Sequence, residues 1–223
     1  SEGRYDLTKA KGEVAYCPRR AEAMLENASP LMDIYREDGA ARLNAFLLAD
    51  SRTPGRRRHI LHTPPLCTME PDCLAALLEK QGLPEENRQR IRAYARTRRE
   101  QLETILLTDT VHLELPRLTE RAFAQFPPAL PLSGLFYGQD VPYTYETYLA
   151  HLAQTEAFAA AHPRCELEFT GGGAFRNLQI TIHEGQWAMV SKGKSPAIHF
   201  VIHHPKLRAA IEDLGFDCLS IEN

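Results

Sequence analysis

Hydrophobic and polar residues alternate along the last third of the chain, between residues 177 and 203. This period of two is typical of strands that bury one face and leave the other polar. The alternation breaks at Glu184-Gly185 and again at residues 193–196, where glycine and proline favour turns. The segment therefore predicts a three-stranded antiparallel meander. Its buried, apolar face is expected to contain Leu178, Ile180, Ile182, Ile198, Phe200 and Ile202.

Apolar residues upstream of the meander recur at helical spacing, which predicts several helices between short strands. The longest helix covers residues 84–107, and Pro84 suits its first turn because proline loses no hydrogen bond there. Another helix is expected to start at Asp33, whose side chain would cap it, and to end before Thr53. The remaining helices are predicted over residues 18–27, 70–81, 118–125, 145–162 and after Pro205, and the strands over residues 57–63, 110–115 and 165–170.

These elements predict an α/β (α+β) fold, in which a mixed sheet of about six strands is flanked by helices and ends in the antiparallel meander. A chain of 223 residues is long enough for one large domain. Residues 1–14 are interpreted as a flexible linker or tag remnant, and residues 15–223 as a single domain.

Composition narrows the classes of protein to consider. A net charge of −3 and a pI near 6.3 argue against a chain whose main task is to neutralise phosphates. No run of 18 apolar residues and no signal peptide is present, so the sequence predicts no membrane association. The five cysteines include no C-x-x-C pair, which favours a reduced, cytoplasmic protein.

Histidines crowd the meander, and such clusters occur in metal sites and in phosphodiesterase sites. His199 and His203 lie on one strand face, but about 13 Å apart at the rise of an extended chain, too far to share an ion. His204 and Lys206 open the H-x-K-x-x-x-x-D signature of phospholipase D enzymes, but Ile211 occupies the position of its aspartate. The sequence therefore predicts no metal, no cofactor and no catalytic residue.

Two features indicate ligand binding instead. Tyrosines concentrate between residues 137 and 148, and their apolar rings with polar tips suit either a pocket or helix packing. Arg98 falls within the apolar stripe of the longest predicted helix. We expect a pocket on the polar face of the meander, with Trp187 or Met189 beside Gln179 and His199 and residues 137–145 as a lid. The predicted ligand-binding residues are Arg98, Tyr137, Tyr143, Tyr145, Gln179, Trp187, Met189 and His199.

Several segments together resemble the C-terminal sensor region of a group of bacterial helix-turn-helix transcriptional regulators. They are AYCPRRAEAML, MDIYRED, PGRRRHILHTPPLCTM, SGLFYGQDVPYTYETYLAHL and FRNLQITIHEGQWAMVSKGKSPAIHFVIHHPKLRAAIE, which together span nearly the whole chain. The resemblance implies a domain that senses an unidentified small-molecule effector, forms a homodimer, and reaches DNA through an upstream module that this chain does not include. It brings no catalytic residue and no established ligand.

Two other interpretations remain open from the sequence. The first is a degenerate phosphodiesterase of the phospholipase D type, with His204 and Lys206 as its remaining functional groups. The second is a structural oligomerisation domain without a small-molecule site. The sequence favours the sensor domain over both.

Overall fold

The computed structural model describes residues 31–36, 39–125, 127–130, 132, 141–170, 178–192 and 197–213. The predicted linker over residues 1–14, the helix over residues 18–27 and Tyr137 lie outside these ranges.

The fold is built on a single mixed sheet of seven strands, in the order β1-β7-β6-β5-β2-β3-β4. Strands β2, β3 and β4 are parallel to one another, and the other neighbours are antiparallel. The predicted mixed sheet and its terminal meander are thus confirmed, with one strand more than the expected six. The strands are β1 (Met32–Arg36), β2 (Arg57–Ile60), β3 (Val111–Pro116), β4 (Cys165–Thr170), β5 (Leu178–His183), β6 (Trp187–Lys192) and β7 (Ile198–Ile202).

Six helices accompany the sheet in the described residues. Two of these helices begin at residues that favour a helix N-terminus. Pro84 directly precedes the longest helix, and Thr144 forms a capping box with Thr147 at the start of another. None of the described helices combines the length and the apolar composition that crossing a bilayer takes. The helices are α1 (Ala40–Asp50), α2 (Pro71–Lys80), α3 (Glu85–Leu106), α4 (Glu120–Gln125), α5 (Tyr145–Ala161) and α6 (Pro205–Glu212), and a 3-10 turn covers Leu66–Thr68.

The prediction that a helix begins at Asp33 is wrong about the start of that helix. Residues Met32–Arg36 form strand β1, which pairs antiparallel with β7, and α1 begins only at Ala40. The cause is tertiary, because the short segment gains a full hydrogen-bonding partner in a strand that lies about 170 residues later in the chain. Local helical spacing gave no information about that partner.

The parallel half of the sheet carries most of the apolar core. Val111, Leu113 and Leu115 alternate along β3 and are at most 2% exposed. They pack in two clusters whose other members come mainly from helices α2, α3 and α5. The crossovers from β2 to β3 and from β3 to β4 therefore supply the helices that cover this face, as parallel strands require.

The prediction that only one face of the meander is buried is also wrong. Ile180 and Ile182 are buried as expected, in a cluster with Ile211 of α6 packed against it. On β7, however, Val201 and His199 are buried, whereas Phe200 on the opposite face is half-buried. The reason is that α1 and α3 cover the polar face of the meander, so polar side chains lie inside the protein.

The turn between α1 and β2 generates the first testable prediction. Gly55 has a φ of 143°, and an added Cβ would overlap the His183 ring. Backbone strain alone costs about 1–3 kcal/mol. Gly55→Ala should lower the free energy of unfolding by more than this amount, because the new Cβ also overlaps the His183 ring.

Gly82→Ala is the matched control, because Gly82 has a φ of 63° but an added Cβ would meet nothing within 4 Å. Urea unfolding should give the larger loss for Gly55→Ala. Equal losses in the two variants would contradict the close packing of His183 against this turn.

Candidate ligand-binding site

A cavity of about 140 Å³ lies between the polar face of the meander and the helices that cover it. Its walls come from segments far apart in sequence. The sheet side is formed by His59, Leu113, Gln179, Thr181, Trp187, Met189, Ser191 and His199, and the helix side includes Leu43 and Leu47 of α1 and Tyr94, Arg98, Gln101, Leu102 and Ile105 of α3.

Strand register sets the order of the polar side chains on the cavity floor. Gln179 of β5 is paired with Ser191 of β6, which is paired in turn with His199 of β7. His199 Nδ1 lies 2.8 Å from the Ser191 hydroxyl, and both residues are buried. The three side chains therefore form a continuous polar row across three strands. Trp187 and Met189 continue the same face of β6 on one side of this row.

His59 of β2 is a partly buried histidine that also lines the cavity. Its Nδ1 lies 3.4 Å from the Thr181 hydroxyl, while its Nε2 has no hydrogen-bond partner in the part of the chain that the structure describes. Burial, together with the positive charges of Arg98 and Arg57, lowers the pKa of His59 to about 3. The imidazole is therefore neutral at physiological pH.

Arg98 of α3 is the charged group that the helices contribute to the cavity. Its Nη1 donates a hydrogen bond to Gln101 Oε1 at 2.7 Å, and it forms no ion pair with any carboxylate among the described residues. Tyr94, Arg98 and Gln101 also line a groove of about 400 Å³ on the outer side, between α1 and α3. These three side chains consequently separate the cavity from the groove.

Asp50, the last residue of α1, fixes the cavity wall through both of its carboxylate oxygens. Oδ2 accepts from the guanidinium of Arg57, with a shortest distance of 3.0 Å. Oδ1 accepts from Trp187 Nε1 at 2.8 Å and lies 2.7 Å from Nδ1 of His183. Arg57 is 2% exposed and donates further hydrogen bonds to the carbonyl oxygens of Asp50, Thr53 and Gly55. One carboxylate therefore connects α1 with β2, β5 and β6.

The pKa of Asp50 reflects this network. Burial acts to raise it, but hydrogen bonds from His183 and Trp187 and the charge of Arg57 outweigh burial and hold the pKa below its usual value. The side chain is therefore ionised at neutral pH, and it compensates the buried guanidinium.

The structure brings five of the eight predicted binding residues together around the cavity: Arg98, Gln179, Trp187, Met189 and His199. Tyr137 lies outside the described residues. Tyr143 and Tyr145 do not line the cavity. The Tyr143 hydroxyl lies 2.8 Å from His151 Nδ1 in a buried cluster, and Tyr145 packs edge-on against Phe123. Their aromatic rings contribute to the helix core around α5.

The predicted register also needs one correction, because Ser191, not Trp187 or Met189, lies directly between Gln179 and His199. Sequence reasoning missed Asp50 and His59 as well. The strand pattern around residues 57–60 could have indicated that His59 shares a face with Arg57, since alternate residues of a strand point to one side. No sequence pattern linked Asp50 to the meander.

Other reactive side chains among the described residues are buried, exposed or used as a helix cap. Burial raises the pKa of the Cys67 thiol, which lines the cavity, to about 11, so the thiol is protonated. His204 caps helix α6 by accepting from the Leu207 amide, and Lys206 is exposed. Within the described ranges, no three His, Cys, Asp or Glu side chains lie close enough together to hold a metal ion.

Comparison with protein-family models and with curated proteins finds no match to this chain.

The Asp50 network generates the second testable prediction. Asp50→Asn should lower the free energy of unfolding by about 3 kcal/mol at pH 7, because Arg57 then stays buried without its counter-charge. The folded-state pKa of Asp50 is depressed, so its contribution is present above the unfolded-state pKa and lost as the pH falls through the folded-state pKa. The difference between the wild type and Asp50→Asn should therefore shrink on acidification below about pH 4.

Urea unfolding at a series of pH values measures both effects. Glu85→Gln is the control, because Glu85 is an exposed carboxylate in surface ion pairs of α3, whose removal changes stability little. A pH-independent difference between the wild type and Asp50→Asn would contradict the role of the carboxylate charge.

Proposed function

We propose that this chain is the ligand-sensing regulatory domain of a bacterial transcriptional regulator. In this proposal the domain acts in the cytoplasm, forms a homodimer, and reaches DNA through an upstream helix-turn-helix module. The single observation that supports it best is the cavity on the polar face of the meander, where Gln179, Ser191, His199 and His59 converge beneath two helices. A few polar groups among apolar and aromatic walls are the usual composition of a small-molecule site.

The state of the reactive groups favours binding over catalysis at this site. The Cys67 thiol is protonated, and His59 is neutral with a pKa far below the range useful to a general base at neutral pH. His204 serves as a helix cap, which accounts for it without a phosphodiesterase role. The proposed activity of the domain is therefore recognition of a molecule, without a chemical step.

The same cavity offers a physical route from binding to regulation. Leu43 and Leu47 belong to α1, and Arg98 and Leu102 belong to α3, so a bound molecule would contact both covering helices at once. A ligand changes a conformational equilibrium only by the difference in its affinity for the two states. A shift of α1 relative to α3 on closure over the ligand is the change that we propose to be transmitted to the DNA-binding module.

The third testable prediction uses Trp187, which is the only tryptophan of the chain and lines the cavity. A screen of small metabolites should identify a compound that both raises the melting temperature and changes the Trp187 fluorescence, since a bound ligand stabilises by RT ln(1 + [L]/Kd). Ser191→Leu should abolish both responses, because the larger side chain occupies the centre of the polar row.

Lys192→Leu is the matched control, because Lys192 is adjacent on β6 and points to the opposite face of the sheet. This variant should respond to the ligand like the wild type. Melting curves without ligand establish that both variants fold. A compound that still raises the melting temperature and changes the fluorescence of Ser191→Leu binds elsewhere. The proposal would be contradicted if a broad screen finds no compound whose effects disappear in Ser191→Leu.

The fourth testable prediction concerns DNA. With a net charge of −3, this chain alone should show little affinity for duplex DNA at physiological salt. A longer protein from the same gene, including the proposed upstream module, should bind DNA in a manner that the cavity ligand alters. Mobility-shift titrations of both proteins measure this difference. Sub-micromolar binding by the chain alone, with a steep salt dependence, would contradict the assignment of DNA contact to another module.

A further inference from the structure

We propose that the molecule recognised in this cavity is a small organic acid, with one carboxylate bound by Arg98 and a compact apolar body about the size of a benzene ring. This inference rests on the proposed function, because it names the chemical class of the ligand for the same site.

The charged side chains that line the cavity set the sign of the ligand. They are Asp50, Arg57 and Arg98. Asp50 and Arg57 form a buried ion pair, and every polar atom of the Asp50 carboxylate is engaged. Their charges therefore compensate each other. Arg98 is left as a positive charge on the cavity wall without a carboxylate partner in the described residues, and a bound anion would neutralise this charge.

The hydrogen bonds of Arg98 leave room for such an anion. A guanidinium carries five N–H donors, and within the described residues only Nη1 of Arg98 has a hydrogen-bond acceptor, the neutral amide oxygen of Gln101. Arginine binds carboxylates through two parallel N–H···O bonds, which are stronger than bonds to neutral acceptors. The donors of Arg98 that have no protein partner therefore match a carboxylate.

Among the charged side chains that line the cavity, Arg98 alone lacks a carboxylate partner in the described residues, which favours a ligand with a single negative charge. His59 and His199 are the other basic side chains on the cavity wall, and the pKa of about 3 keeps the His59 imidazole neutral at physiological pH. One arginine compensates a monoanion but leaves a dianion, such as a phosphate monoester, with an unpaired charge in a partly apolar site.

The size and lining of the cavity limit the rest of the molecule. An apolar protein cavity of about 150 Å³ accommodates benzene, and the cavity here measures about 140 Å³. Leu43, Leu47, Leu102, Ile105 and Met189 supply apolar walls for a body of this size. Aromatic acids with one ring and branched aliphatic acids of similar volume meet both limits.

Arg98 also lies where an anion would arrive from solvent. With Tyr94 and Gln101, it lines both the cavity and the outer groove between α1 and α3. Its guanidinium thus keeps contact with the groove in the absence of ligand, which reduces the cost of an arginine without a carboxylate partner.

Matched pairs of acids and amides test the charge requirement directly. The probes are benzoate, 4-hydroxybenzoate and 3-methylbutanoate, each compared with its neutral amide by calorimetry and by thermal shift. We expect at least one acid to bind, about tenfold or more tightly than its amide, since hydrogen bonds to charged groups are the stronger ones. Arg98→Met should remove this preference, and Arg98→Lys should retain part of it.

Arg96→Met is the control, because Arg96 is an exposed arginine of the same helix that does not line the cavity. It should bind the acids like the wild type, and Ser191→Leu should bind neither series. If amides bind as tightly as acids and Ser191→Leu blocks both, the carboxylate inference is overturned while the proposed function stands. The inference is also overturned if Arg98→Met binds the acids as tightly as the wild type, or if no acid binds at all. In either case the wider metabolite screen tests the proposed function separately.

Discussion

The Asp50 carboxylate is the interaction on which the rest of this structure depends. It terminates α1 and holds a guanidinium from β2, an imidazole from β5 and an indole from β6. Because Arg57 is almost completely buried, its charge is tolerable only with this partner and with the surrounding carbonyl oxygens. The network fixes α1 over the polar face of the meander, and covering this face creates a cavity with both polar and apolar walls.

The buried His151 and the partly buried His59 show what distinguishes this cavity from an ordinary polar core. His151 of α5 uses both ring nitrogens: Nε2 faces the Pro65 carbonyl oxygen at 3.1 Å, and Nδ1 lies 2.8 Å from the Tyr143 hydroxyl. Burial lowers its pKa to about 4, so it is a neutral, satisfied member of the core. His59 is neutral as well, but one of its nitrogens faces no partner in the described part of the chain. Both ring nitrogens of His151 thus have hydrogen-bond partners within the protein, whereas Nε2 of His59 has none among the described residues.

A covered polar face conflicts with the usual arrangement of a half-buried sheet, which places polar side chains in solvent. Here Gln179, Thr181, Ser191 and His199 lie beneath the helices that cover this face of the sheet. Such local conflicts between sequence pattern and environment are expected at functional sites, where stability is given up for recognition. The same cavity is lined by His59 and by Arg98, which has no carboxylate partner among the described residues. We therefore assign both residues to one ligand site.

The sequence alone determined the elements with strong local signals. Turn residues and alternation defined the meander, and proline and apolar spacing defined α3, because these signals act over a few residues. It also indicated Arg98, Gln179, Trp187, Met189 and His199, whose placement followed from helix or strand periodicity. Only the tertiary structure decided that Met32–Arg36 is a strand, that the polar face is covered, and that Asp50 and His59 belong to the site. Those outcomes depend mainly on partners that are distant in the sequence, which no local pattern encodes.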